Sequence, residues 1–124
     1  MSSEASTEPE RWPWAGDLDA VVAAPGHHVV LLENAAVRVL ETRIPPGETT
    51  PVHTHRWPNV QHILSTSDFV RRDEAGEVVI DTRTTGELPA RSATLWSEPL
   101  PPHSLENVGE TELLVLMVEL KNRR

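Results

Sequence analysis

From His28 to Leu120, apolar and polar positions alternate in short runs, broken by turn residues roughly every eight to twelve positions. A period of two sends successive side chains to opposite faces of a strand. The runs predict strands over residues 28–33 and 37–44, parted by Asn34-Ala35-Ala36. Further strands are predicted over 52–55, 60–65, 69–72, 78–82, 92–96, 103–107 and 112–120. Asp73-Glu74-Ala75-Gly76 reads as a hairpin turn with Gly76 in a left-handed conformation. Gly109-Glu110 is the turn before the last strand. No helical pattern alternates with these strands, which argues against a parallel α/β sheet. Many short strands at this spacing argue for an all-β antiparallel sandwich or barrel.

The first part of the chain has a different pattern. Residues 1–10 are rich in Ser and Glu, with Met1 and Ala5 as the apolar exceptions, and read as a flexible tail. Trp12-Pro13-Trp14 closes that segment, so residues 1–14 are expected to form an arm and 15–124 a single domain. Residues 17–24 are expected to form one short helix, with Asp17 as N-cap and Pro25-Gly26 as the stop. His27 and His28, directly after that stop, read as loop or strand-start residues. The last strand carries Leu113-Leu114-Val115-Leu116-Met117-Val118 and is apolar on both faces. A strand covered on both sides predicts a homodimer, with the tryptophan arm in the contact.

Composition narrows the function classes. A chain of 124 residues suits one domain with one core. Its net charge of -8 argues against nucleic acid as a partner. Arg71-Arg72 is a short basic pair flanked by acids, and Arg123-Arg124 is terminal. With no Cys, neither a disulfide framework nor a thiolate metal site can form. No apolar run is long enough to span a membrane, and the N-terminus lacks an apolar signal region, so a cytoplasmic protein is expected. The absence of Tyr removes phenol acid–base chemistry, and no phosphate-binding glycine loop is present.

The chemistry concentrates in histidines. His53-Thr54-His55 on a strand presents two imidazoles side by side, because residues two apart share a face. His103, inside Pro101-Pro102-His103-Ser104-Leu105-Glu106-Asn107, offers a third from a distant strand. Three imidazoles make a facial nitrogen set for a divalent transition metal, with positions left for water or substrate.

The residues around these histidines resemble the two motifs of the cupins. In the first, Gly47 in the Pro45-Pro46-Gly47 turn is separated from His53-x-His55 by Glu48 to Val52. The second runs from Pro101 to His103 and Asn107 without its usual Gly. With their strands, the motifs span roughly residues 29–120. The resemblance implies a double-stranded β-helix, or jelly-roll barrel, with His53, His55 and His103 as metal ligands. In that family a Glu stands four residues after the second histidine, and here that position is Asn59. Gln61 shares its strand face with Asn59, and His62 points to the opposite face. The fourth ligand is therefore expected to be Gln61, water or Asn59, in that order. A register shifted by one residue would substitute His62. Neutral ligands leave the full charge on the ion and favour a Lewis-acid role. Zn or Fe(II) is expected, with Ni, Mn and Cu also compatible.

Trp57 and Trp96 are candidate pocket walls, and Phe69 reads as core. Arg38, Glu41 and Arg43 lie on one predicted strand; an inward Glu41 would serve as a general base, but a solvated face is the expected one. Asn107 is expected to brace the turn before the last strand. The resemblance implies a small metal-dependent enzyme acting on a small organic molecule in the barrel, with oxygenase or isomerase/cyclase chemistry. The alternative is a non-catalytic small-molecule or metal-binding module, favoured by the missing Glu and by the lack of an acid–base residue in the pocket.

Overall fold

The computed structural model describes residues 12–121. The expected tail therefore lies outside the described residues. Nine strands run in chain order: β1 (His28–Glu33), β2 (Val37–Ile44), β3 (His53–His55), β4 (Asn59–Ser65), β5 (Phe69–Asp73), β6 (Val78–Asp81), β7 (Thr94–Ser97), β8 (Leu100–Asn107) and β9 (Leu113–Leu120). They form two antiparallel sheets, β1-β2-β9-β4-β7 and β3-β8-β5-β6. The all-β jelly-roll expected from the alternating pattern is what the chain adopts.

Local chemistry explains the joints. Asn34 Oδ1 accepts from the amides of Ala36 and Val37, which fixes the β1–β2 hairpin. Asp73 Oδ1 accepts from the amides of Ala75 and Glu77, and Gly76 takes the left-handed φ of 88° that the β5–β6 turn requires. Asn107 is fully buried and spans the end of the barrel. Its Nδ2 donates to the carbonyls of Ile44 and Thr111, and its Oδ1 accepts from Ser67 Oγ and Gly109 N. A Cβ on Gly109 would lie 2.1 Å from Ser67 Oγ, so glycine is required where these strands meet.

The core follows strand parity. On β2, Arg38, Leu40, Thr42 and Ile44 point inward and are buried, which turns Glu41 and Arg43 outward. Glu41 is thus on the solvated face and ion-paired with Arg43. The β1 edge is unusual: Val29, Val30, Leu31 and Leu32 are all exposed.

The single helix expected over residues 17–24 is split instead. A 3-10 turn (Gly16–Leu18) is followed by one α-turn, α1 (Ala20–Ala23), and no side chain caps either. The break is at Asp19, whose carboxylate accepts two hydrogen bonds from Arg38. A second helical turn, α2 (Thr82–Thr85), replaces the end of the sixth predicted strand, with Asp81 accepting from Arg83 N as its cap. Trp12 and Trp14 pack edge to face, with ring centroids 4.8 Å apart. Among the described residues, no helix is long and apolar enough to cross a membrane.

Candidate metal centre

Between the sheets lies a cavity of about 130 Å³ lined by His28, His53, His55 and His103 together with apolar residues. Each sheet contributes. His53 and His55 come from β3, and His53 pairs directly across the ladder with His103 on β8. A register irregularity between His53 and His55 sets His55 opposite Leu100. His28 begins β1 in the other sheet, opposite Thr42 of β2, which also lines the cavity.

The four rings form one cluster. Ligand atoms of His28, His53 and His55 all lie within 4.8 Å of one another. The ring centroid of His28 is 4.7 Å from that of His53 and 5.4 Å from that of His55. His103 stands at 4.4 Å from His53 and 5.6 Å from His55. All four are nearly inaccessible from outside, at 6 % exposure or less.

The tautomers are set by the backbone. His53 Nδ1 contacts the Pro51 carbonyl at 2.8 Å, His103 Nδ1 that of Pro101 at 2.7 Å, and His28 Nδ1 that of Ala24 at 3.0 Å. A carbonyl can only accept, so each Nδ1 carries the proton and each Nε2 keeps its lone pair. His55 is held differently. Its Nδ1 lies 3.5 Å from Glu119 Oε2, and neither atom has a hydrogen-bond partner among the described residues. Glu119 is fully buried on β9, and its Oε1 accepts from Arg38 Nε at 2.5 Å. The Arg38 terminal nitrogens bind both oxygens of Asp19, at 2.8 and 2.9 Å. Asp19, Arg38 and Glu119 thus form a buried chain ending behind the His55 ring.

The electrostatics keep the imidazoles neutral. Burial, reinforced by the neighbouring histidines, pushes His28, His55 and His103 down to about 3, and burial also lowers His53. Burial raises Glu119, against the pull of Arg38. Burial also works to raise Asp19, but the hydrogen bonds and charge of Arg38 outweigh it and hold Asp19 low. His28, His53 and His55, neutral and convergent, with His103 beside them, make a nitrogen donor set that could hold a divalent transition metal. The residues present fit such an ion.

The site residues expected from sequence are distributed as follows. His53, His55 and His103 come together. Gln61 lines the cavity on the inward face of β4, and its side chain has no hydrogen-bond partner among the described residues. Asn59 shares that face but is fully buried, with Nδ2 donating to the Trp57 carbonyl. His62 is turned away and contacts Thr94 Oγ1 through Nδ1.

Four expectations need correction. His28 is a cluster member as well as a strand-start residue. Trp57 is not a cavity wall: its ring is covered by cations, with Arg38 5.0 Å and Lys121 5.7 Å from the centroid. Trp96 is not one either: it pairs with Val60 on the face opposite Gln61, and its Nε1 donates to Glu98. Phe69, expected in the core, lines the cavity.

Three residues were missed. His28 was traceable through the β1–β2 hairpin, whose register carries it to inward-facing Thr42. Glu119 is a lone acid in an apolar strand, a pattern that signals a buried partner. Arg71 reads in sequence as half of a short basic pair flanked by acids, yet the two alternate: Arg72 pairs with Glu106, and Arg71 lines the cavity.

Comparison with solved structures agrees with this architecture. The chain is similar to a cupin domain from Bordetella pertussis, with a TM-score of 0.62 and 24% identity over 76% of this chain and 91% of that one. It is similar to an RmlC-like cupin family protein with a double-stranded β-helix fold from Methanocaldococcus jannaschii, at TM-score 0.52 and 16% identity over 75% and 79%. It is also similar to the polyketide cyclase RemF from Streptomyces resistomycificus, at TM-score 0.55 and 19% identity over 83% and 72%. No family model and no curated protein matches the chain. Two antiparallel sheets closing on a histidine-lined cavity, together with these likenesses, identify the chain as a small protein of the cupin fold.

Proposed function

We propose that the chain holds one divalent transition metal through His28, His53, His55 and His103 and uses it to act on a small organic molecule in the barrel cavity. The observation that carries this reading is the cluster itself: three buried, neutral imidazoles from both sheets, His28, His53 and His55, whose ligand atoms converge within 4.8 Å, with the His103 ring 4.4 Å from that of His53. Isolated structural histidines have no need of such convergence. Zn or Fe(II) suits the all-nitrogen set best.

When bound, the ion would supply a Lewis acid in a cavity whose apolar walls limit access of water. The protein's own residues hold and orient. The carbonyls of Ala24, Pro51 and Pro101 fix three rings, and the Asp19–Arg38–Glu119 chain sets a carboxylate oxygen 3.5 Å behind the fourth. Among the described residues the cavity lining contains no Asp or Glu, so a proton leaving the substrate falls to water rather than to a side-chain carboxylate. That lack favours oxygenase or isomerase/cyclase chemistry over hydrolysis by a carboxylate base. Two reconstitutions of chelator-stripped protein test the enzymatic reading. The Fe(II) form is followed for oxygen uptake, and the Zn form for solvent deuterium exchange into small carbonyl compounds. Metal-dependent turnover in either supports an enzyme; inert behaviour in both, with metal held, supports the binding-module alternative.

A further inference from the structure

The cavity wall carries one charged side chain, Arg71 of β5. Among the described residues its guanidinium has no ion pair and no hydrogen bond, although Arg38, Arg43 and Arg72 are all engaged. Arg38 is held by Asp19 and Glu119, Arg43 by Glu112 and Glu41, and Arg72 by Glu106. Arg71 pairs across the ladder with Leu105 and lies diagonal to His103, which pairs with Asp73. Leu105 and His103 are also on the cavity wall. Burial pulls the Arg71 pKa down, with no neighbouring acid to offset it.

The chain as a whole carries a net charge of -8, yet no Asp or Glu among the described residues lines this cavity. A half-buried cation without a counter-ion is unfavourable, and a planar guanidinium matches a carboxylate at two points. The Gln61 amide is a second uncommitted polar group on the same wall. The remaining lining, including Phe69, Ile63, Leu105 and Val115, is apolar. Thr42, Thr50 and Thr66 line it too, but their hydroxyls are already bonded within the protein.

We propose that the cavity takes a small monocarboxylate with an apolar body, its carboxylate held by Arg71, with Gln61 as the second polar anchor and its other end toward the histidine cluster. This deepens the functional reading above by naming the substrate class, and rests on it only for treating the cavity as the working site. A phosphate ester fits less well, because a dianion would meet one cation and one amide where it needs several donors.

The test is a binding series by ligand-observed NMR and calorimetry, on zinc-loaded and on chelator-stripped protein, with zinc content measured for each variant. The probes are monocarboxylates from acetate to benzoate, each against its primary amide, with methyl phosphate as a further probe. At least one carboxylate is expected to bind the wild type about tenfold more tightly than its amide. Arg71→Gln should abolish that preference, and Arg71→Lys should restore part of it, both with zinc content unchanged. Persistence of the preference in the stripped protein would uphold Arg71 even if the metal reading failed. Equal binding of acids and amides, no binding of any carboxylate, preference for methyl phosphate, or full preference in Arg71→Gln overturns the proposal.

Discussion

Replacing Arg38 by Met should be among the most damaging single changes in the barrel. Arg38 is 4 % exposed and makes three hydrogen bonds to two carboxylates, one of them the fully buried Glu119. Removing the cation leaves the Glu119 charge in an apolar interior, a loss that costs about 3–5 kcal/mol when one partner of a buried pair is deleted. Loss of Arg38 stacking over Trp57, at 5.0 Å, adds about 0.5–1 kcal/mol. Glu119→Gln alone should cost only about 1–2 kcal/mol, because Arg38 keeps both hydrogen bonds to Asp19. In the double variant no Glu119 charge is left unpaired, so the total should fall short of the sum by about 2 kcal/mol. Asp19, with its side chain 22% exposed, retains some solvation in either case. Urea unfolding of chelator-treated protein measures all three, and the Arg38→Met midpoint should drop by roughly 2 M. An Arg38→Met variant within about 1 kcal/mol of wild type, or strictly additive effects, would refute the buried-chain argument.

Two further outcomes follow from the site. In metal-free protein, burial holds His28, His55 and His103 near 3 when folded, against 6.5 for an ordinary histidine. The unfolded chain then binds more protons between those values, so stability is full above pH 6.5 and falls as pH drops toward 3. The loss between pH 7 and 5.5 should be on the order of 3 kcal/mol, and a flat denaturation profile over that range contradicts it. Chelator competition separates the two faces of β4: Gln61→Glu should tighten metal retention about tenfold by placing negative charge on the cavity wall, whereas His62→Ala should leave it unchanged. Metal loss from His62→Ala would show that the β4 register is wrong.

Much of the fold was legible because its signals are local. Asn34, Gly47 and Gly76 mark their turns by side-chain hydrogen bonding or by a positive φ, and parity then places His53 with His55 and Gln61 with Asn59. What was missed depends on contacts far apart in sequence. Asp17 failed as a helix cap because the break is set by Asp19 reaching Arg38. His28 joins the cluster only once the β1–β2 register is known, and Glu119 meets Arg38 across the β2–β9 pair. Trp57 and Trp96 look like pocket walls by proximity in sequence to the ligand strands, but parity and a cover of cations assign them elsewhere. Arg71 and Arg72 look alike in sequence, and strand alternation alone separates a cavity residue from a surface ion pair.

The most direct test of the four-histidine centre is elemental analysis of natively purified protein. Wild type is compared with His28→Ala, His53→Ala, His55→Ala and His103→Ala, and with His27→Ala, whose ring contacts Glu48 outside the cluster, as control. Wild type and the His27→Ala control should carry about one divalent transition metal per chain, and each cluster variant a small fraction of that. Metal absent from the wild type, or retained by the cluster variants at the wild-type level, would contradict the assignment.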